Sequence, residues 1–112
     1  MVIDFDSMTP EKAEHFKGGE GAALIRKFED ENNKIMLFTL KPGTSVGVHT
    51  HTGNSEIIYI LKGSGTAFDQ GSQRPASAGQ CLYCPEGASH GLTNDGDEDL
   101  VFFAVVPEHH KK

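Results

Sequence analysis

Two histidines one residue apart, in the stretch HTH, are the residues of this sequence whose type and spacing point most directly to chemistry. His49 and His51 end the segment 46–51, which is predicted to be a β-strand. Side chains two positions apart in a strand point to the same face and are separated by about 6.7 Å along the chain. Two imidazoles on that spacing can bind one metal ion at about 2.1 Å each.

A carboxylate at the start of an apolar strand is the second unusual feature. Glu56 begins the run EIIYILK, and alternation places it on the same face as Ile58 and Ile60, so a charge heads an interior row. A buried carboxylate is costly unless it is paired or binds a metal. The four residues TGNS that precede this run predict a hairpin loop, which would place Glu56 beside the two histidines.

A fourth candidate ligand lies in the segment GQCLYCPEGASHGLTN, residues 79–94. Gly87 permits a tight turn there, and His90 begins the strand that follows. With His90, the sequence offers three imidazoles and one carboxylate for a single ion.

The composition argues against several classes of function. The 112 residues are enough for one small domain, and their apolar content predicts a packed core. The net charge is −6, and the ten basic residues are scattered, which argues against a nucleic-acid or anionic-membrane partner. No signal-like segment and no run long enough to span a bilayer is visible. We therefore expect a cytoplasmic protein whose partner is a small molecule.

Short apolar runs separated by Gly, Asn, Asp and Pro predict an all-β fold. Eight strands are predicted, at 22–28, 34–40, 46–51, 56–62, 65–69, 80–84, 90–94 and 100–106. One short helix is predicted at 10–16, with Thr9 as its N-cap and Pro10 at its first position. Eight strands in one small domain must hide their edges, which favours a closed antiparallel barrel or jelly roll.

The remaining cysteines and histidines do not form a second site by sequence. Cys81 and Cys84 form a CxxC, but a four-thiolate zinc site needs two more cysteines and a redox CxxC should begin a helix. We expect two reduced residues that fill the core. His15 lies on the predicted helix, and His109 and His110 lie in a tail expected to be solvated.

These features together resemble the two sequence motifs of the cupin family. The first motif is matched by Gly43, His49, His51, Glu56 and Gly63, and the second by Gly79, Pro85, Gly87, His90 and Asn94, with the family's spacings. The short interval between the motifs is typical of small single-domain microbial cupins. The resemblance implies an antiparallel cupin β-barrel over residues 21–112, after an N-terminal segment, 1–20, that contains the short helix. It also implies one divalent metal bound by His49, His51, Glu56 and His90.

Several functions are compatible with such a site. A divalent metal with these ligands would have a net charge of about +1 and open positions for a small polar molecule. We expect dioxygenase chemistry ahead of isomerase or decarboxylase chemistry, with Glu56 either a ligand only or also a proton shuttle. The other hypothesis is a non-catalytic module that binds metal or a small ligand. The metal is left open among Fe, Mn, Ni, Co, Cu and Zn. We also expect a homodimer, in which strand 22–28 exchanges with or packs against a neighbouring copy.

Overall fold

The computed structural model describes residues 1–110 and consists of two antiparallel β-sheets. The ten strands are β1 (Glu11–Glu14), β2 (Ala22–Glu29), β3 (Asn33–Leu40), β4 (Ser45–Thr50), β5 (Glu56–Lys62), β6 (Ser64–Asp69), β7 (Ser72–Ser77), β8 (Cys81–Cys84), β9 (Ser89–Thr93) and β10 (Leu100–Pro107). The first sheet has the order β1-β2-β3-β10-β5-β8, and the second has the order β4-β9-β6-β7. The predicted all-β barrel architecture is confirmed.

Alternate residues of the strands fill the interior between the two sheets. Phe38 of β3 and Phe102 of β10 are 2% and 1% exposed, and their rings stack at 4.8 Å between centroids. Leu92 of the second sheet belongs to the same buried cluster. Each large apolar side chain contributes about 1.5–3 kcal/mol when it is fully buried. The shared core therefore holds the two sheets face to face.

All eight predicted strands are present, with ends that differ by at most one residue. The strand Ser72–Ser77 was missed, because this segment was predicted to be a loop. Its side chains are exposed except for Ala76, so it shows no apolar alternation, and it contains Pro75. Proline is tolerated there because β7 is an edge strand. Gln70 and Gly71 both have positive φ, as the tight hairpin turn between β6 and β7 requires.

The short α-helix predicted at 10–16 is wrong. Residues Glu11–Glu14 instead form a strand that pairs with β2. A seven-residue helix is marginal on its own, and here strand pairing offers the same backbone groups more partners. The helical turns in residues 1–110 are two single 3₁₀ turns, Phe5–Ser7 and Phe16–Gly18. No helix in this part of the chain is long and apolar enough to cross a membrane.

The hairpin predicted at TGNS is also wrong. β4 pairs with β9, whereas β5 pairs with β10 and β8, so residues 51–55 cross from the second sheet to the first. Alternation and turn residues predict where strands lie, but they do not say which strands pair. The crossing brings His51 and Glu56 from opposite sheets toward a common point.

The carboxyl-terminal tail is attached to the barrel near this crossing. His109 lies between Ser55 and Glu86, with Nε2 3.1 Å from the Ser55 Oγ and Nδ1 2.9 Å from the Glu86 Oε1. The expectation of a solvated side chain is therefore wrong for His109, because it has two polar partners that are distant in sequence. His110 is exposed, and residues 111–112 lie outside the described part of the chain.

Asn94 provides a test of how the turn after β9 is stabilised. Its side chain is completely buried, its Nδ2 donates to the carbonyls of Leu40 and Glu98 at 2.8 Å each, and its Oδ1 accepts from the Gly96 N–H at 3.0 Å.

We expect Asn94→Ala to lower the free energy of unfolding by about 2–4 kcal/mol, because buried backbone groups lose their partners. Chemical denaturation would measure this. Thr93→Ala, at the exposed neighbouring position, should change stability little, and equal losses in the two variants would contradict the account.

Candidate metal centre

The four predicted ligands meet inside the barrel, and both sheets contribute to the cluster. His49 lies near the end of β4 and His90 lies in β9, where the register pairs these two residues directly. His51 follows β4 at the start of the crossing segment. Glu56 begins β5 in the first sheet, so its carboxylate approaches the three imidazoles from the opposite side.

The spacings within this cluster are those of ligands that share one ion. The candidate ligand atoms all lie within 4.8 Å of one another. Oε1 of Glu56 is 3.0 Å from Nε2 of His51, 2.9 Å from Nε2 of His90 and 3.9 Å from Nε2 of His49. The Nε2 atoms of His51 and His90 are 3.0 Å apart. Two ligands at right angles, each at about 2.1 Å from an ion, would be about 3.0 Å apart.

The outer nitrogens of two histidines are held by hydrogen bonds, and this determines what their inner nitrogens can do. Nδ1 of His49 donates to the Gly47 carbonyl at 2.8 Å. Nδ1 of His51 lies 2.6 Å from Oδ1 of Asn54, whose Nδ2 donates to Glu108 at 3.4 Å. Because the Asn54 amide donates through its nitrogen, its oxygen accepts from His51. Both neutral imidazoles therefore direct an Nε2 lone pair into the cluster.

These lone pairs face a carboxylate oxygen, so the cluster needs a cation. Glu56 is only 7% exposed. Acceptors this close repel one another unless a proton or a metal ion lies between them. Where a proton does so, hydrogen bonding to Glu56 raises the pKa of His51, while burial lowers the pKa of His49. Burial on its own would raise the pKa of Glu56, but hydrogen bonds from His51 and His90 lower it to about 2. The donor set is compatible with one divalent metal ion.

A cavity of about 300 Å³ adjoins the cluster. Its polar lining includes the four cluster residues, Asn54 and two threonines of the same region. Its apolar wall comes mainly from the first sheet, through Ile25, Met36, Phe38, Ile58, Phe102 and Val106. The arrangement is a small chamber with a polar, metal-compatible end and apolar sides.

Asn54 is the residue of this site that the sequence analysis did not single out. It lies in TGNS, where an asparagine is expected as a turn residue. The local pattern therefore does not distinguish an asparagine that forms a turn from one that accepts a hydrogen bond from a histidine. The contact between Asn54 and His51, three residues earlier, became visible only with the path of the crossing segment. An acceptor that orients a metal-binding imidazole typically matters nearly as much as the ligand itself.

The cysteines and the other histidines lie outside the cluster. The prediction that both cysteines fill the core is wrong for Cys81, which is exposed, and right for Cys84, which is buried. Residues three apart in a strand point to opposite faces, so both could not be internal in β8. Burial raises the pKa of the Cys84 thiol. His15 and His110 are exposed and contribute no atom to the four-residue group.

The two facing sheets and the cluster of three histidines and one glutamate define a cupin. The family model for the cupin domain matches residues 36–106, and the chain belongs to this family. The predicted resemblance is confirmed.

Particular relatives share most of the chain. An oxalate-binding protein of Thermotoga maritima is 42% identical over 113 residues, which cover 95% of this chain and 93% of that protein. The crystal structure of a predicted oxalate decarboxylase of Thermotoga maritima has a TM-score of 0.92 and 34% identity, covering 96% of this chain and 99% of that one. A putative sugar phosphate isomerase of Acidithiobacillus ferrooxidans has a TM-score of 0.80 and 26% identity, covering 92% of this chain and 70% of that one.

Metal retention tests the cluster. We expect His51→Ala and Glu56→Ala to lose stoichiometric metal after purification and dialysis, because each removes a donor from a buried set of four. Asn54→Ala should bind the same metal about 10- to 100-fold more weakly, because His51 is no longer oriented. Elemental analysis and titration with Mn²⁺ or Co²⁺ would measure both effects.

His110→Ala is the matched control, since it removes an exposed imidazole outside the cluster. It should retain metal as the unmodified protein does. Equal metal content in all the variants would show that the ion is bound elsewhere.

Proposed function

We propose that this chain binds one divalent transition metal through His49, His51, Glu56 and His90, and that the centre captures small dicarboxylates such as oxalate. The observation that carries the proposal is the convergence of three imidazoles and one buried carboxylate in the lining of one cavity. A bound divalent ion would act there as a Lewis acid toward oxygen donors. The names of the two Thermotoga maritima relatives support oxalate as the first anion to test.

The residues of the chain prepare this site in two ways. The three imidazoles are neutral and the single carboxylate cancels one charge of a divalent ion, so a net charge of about +1 would remain to attract a dianion. The apolar wall, which includes Met36 and Phe102, limits the water that competes for the charged groups and so strengthens their attraction.

Binding without turnover is favoured over decarboxylation by the set of groups in the cavity. Loss of CO₂ from oxalate breaks its C–C bond, and the remaining carbon must take up a proton to give formate. Among the described residues that line the cavity, Glu56 is the sole carboxylate. A carboxylate that binds a metal must be deprotonated, so Glu56 as a ligand would be a poor proton donor. Neither the donor set nor the cavity lining selects the expected dioxygenase chemistry, which stays a prediction.

Calorimetric titration tests the proposal. We expect metal-loaded protein to bind oxalate with one-to-one stoichiometry and to bind acetate much more weakly, because only oxalate can chelate the ion. His51→Ala should lose oxalate binding together with the metal. Formate, CO₂ and oxygen consumption, followed in the same samples, should stay at background. Sustained formate release would establish a decarboxylase, and oxalate-dependent oxygen uptake would establish an oxygenase. Absence of oxalate binding by the loaded protein would contradict oxalate as the ligand.

We also propose that the protein is a homodimer, paired through the outer face of the first sheet. The predicted exchange or packing of strand 22–28 against a neighbouring copy stays a prediction; within the chain, β2 pairs with β1 and β3. The outward residues of β5 and β8 are uncharged and exposed, with Ile57 at 40%, Tyr59 at 43%, Leu61 at 51% and Tyr83 at 59%. An uncharged apolar patch lets two copies of a chain with net charge −6 approach without strong repulsion.

Light scattering tests this pairing. We expect the mass of a dimer at micromolar concentration, and a shift toward the monomer for Tyr59→Lys, which places a charge within the patch. Val48→Lys is the matched control, because Val48 is 54% exposed but lies on the second sheet. A monomer mass for the unmodified protein, or equal effects of the two variants, would contradict the assignment.

A further inference from the structure

Two strands of the first sheet each have a lysine on the inward row near one end. In β2 the buried residues Ala23 and Ile25 are followed on the same face by Lys27, and in β3 Lys34 precedes the buried Met36 and Phe38 in the same way. Both lysines line the cavity that adjoins the metal centre. In a chain with net charge −6, two cations at the edge of one apolar chamber are a local reversal of charge.

A third lysine, Lys17, lines the same cavity from the 3₁₀ turn Phe16–Gly18. Its backbone has φ of 56°, in the left-handed region that costs a non-glycine residue free energy. The turn is pressed against β4, since a Cβ at Gly47 would lie 2.0 Å from the Lys17 carbonyl oxygen. The packing therefore holds Lys17 beside the cavity despite its unfavourable conformation.

The strand register gives the approximate backbone distance from the two strand lysines to Glu56 of the cluster. Lys34 of β3 pairs with Val106 of β10. The preceding residue of β10, Val105, pairs with Ile57 of β5, so Val106 lies opposite Glu56. Neighbouring strands are about 4.8 Å apart, so the backbones of Lys34 and Glu56 are about 10 Å apart on one row. Lys27 lies one strand further from Glu56, on the adjacent inward row.

Two of the three lysines have no ion pair within the described residues and could bind an anion. Lys27 Nζ is 3.6 Å from the Glu29 carboxylate, in a partly exposed ion pair. Within residues 1–110, no carboxylate lies within ion-pair distance of Lys34 or Lys17, and the Lys17 Nζ lies 5.6 Å from the centroid of the Phe16 ring. An unpaired ammonium at the edge of an apolar cavity is a favourable partner for an anion.

The cavity is also larger than oxalate requires. Its volume of about 300 Å³ has room for roughly ten water molecules, at about 30 Å³ each. Oxalate chelated at the polar end would leave most of this volume unfilled. A ligand that fills the chamber needs a chelating end, a short apolar body and a second anionic group.

We infer that three lysines of the cavity lining, Lys34 and Lys17 with Lys27, form a second anion-binding position beside the metal-compatible cluster, so the preferred ligand is a chelating 2-oxo or 2-hydroxy acid with a distal carboxylate. This inference rests on the proposed metal-dependent capture of small dicarboxylates and extends it from oxalate to longer dianions. The metal-compatible cluster binds one end of such a ligand, the apolar wall covers its methylene groups, and the lysines bind the other end.

A matched pair of ligands tests the inference without depending on turnover. 2-Oxoglutarate and 2-oxopentanoate have the same chain length and chelating end, but only the former has a distal carboxylate. We expect the metal-loaded protein, titrated under nitrogen with one metal throughout, to bind 2-oxoglutarate about tenfold or more tightly than 2-oxopentanoate. Each of Lys34→Met and Lys17→Met should reduce that preference about fivefold, as a partly exposed ion pair would.

The controls separate this inference from the function on which it rests. Lys12→Met removes an exposed lysine of β1 that lies outside the cavity, and should leave the preference unchanged. Oxalate affinity should change less than twofold in all three variants, and thermal melts should show intact folding. Normal oxalate binding with equal affinities for the two longer acids would overturn this inference alone. A preference that survives in both cavity variants would also overturn it, and failure of all three anions to bind would overturn the proposed function as well.

Discussion

The close approach of three imidazoles to one buried carboxylate is the constraint around which this protein is organised. Three imidazoles and the Glu56 carboxylate converge within 4.8 Å, in a place where water is largely excluded. The tautomers of His49 and His51 are set by hydrogen bonds outside the cluster, so the Nε2 atoms of these two residues face the carboxylate as acceptors. Such an arrangement persists only if the rest of the fold holds it together, or if a cation lies at its centre.

The fold meets this demand by using both sheets. β4 and β9 present the histidines from one side, and β5 presents Glu56 from the other, while a buried core with residues from both sheets holds the sheets face to face. The crossing segment 51–55 is attached twice at its far end, through Asn54 to Glu108 and through Ser55 to His109. The carboxyl-terminal residues thus help to position the ligand set, although none of them belongs to it.

The sequence was sufficient for the parts of this account that depend on local pattern. Alternation located eight strands, and the position of Glu56 at the start of an apolar row predicted its burial near the histidines. Strand partners depend on contacts between distant residues, so the hairpin at TGNS was wrong even though its ends were right. The helix at 10–16 failed for the same reason, because pairing with β2 overrides weak local propensity. The roles of Asn54 and His109 were invisible because each depends on a neighbour that only the folded chain supplies.

The chemistry that follows from the centre depends on how the chamber beyond it is filled. One end would offer Lewis-acid chemistry toward oxygen donors once an ion is present, much of the wall is apolar, and three lysines also line the cavity. Anomalous diffraction from crystals of the metal-loaded protein, measured on both sides of the absorption edge of the metal, tests the central claim directly. The account predicts one anomalous peak at about 2.0–2.2 Å from Nε2 of each of the three histidines and from Oε1 of Glu56. A peak bound by other side chains, or no peak at this point in crystals that contain stoichiometric metal, would contradict it.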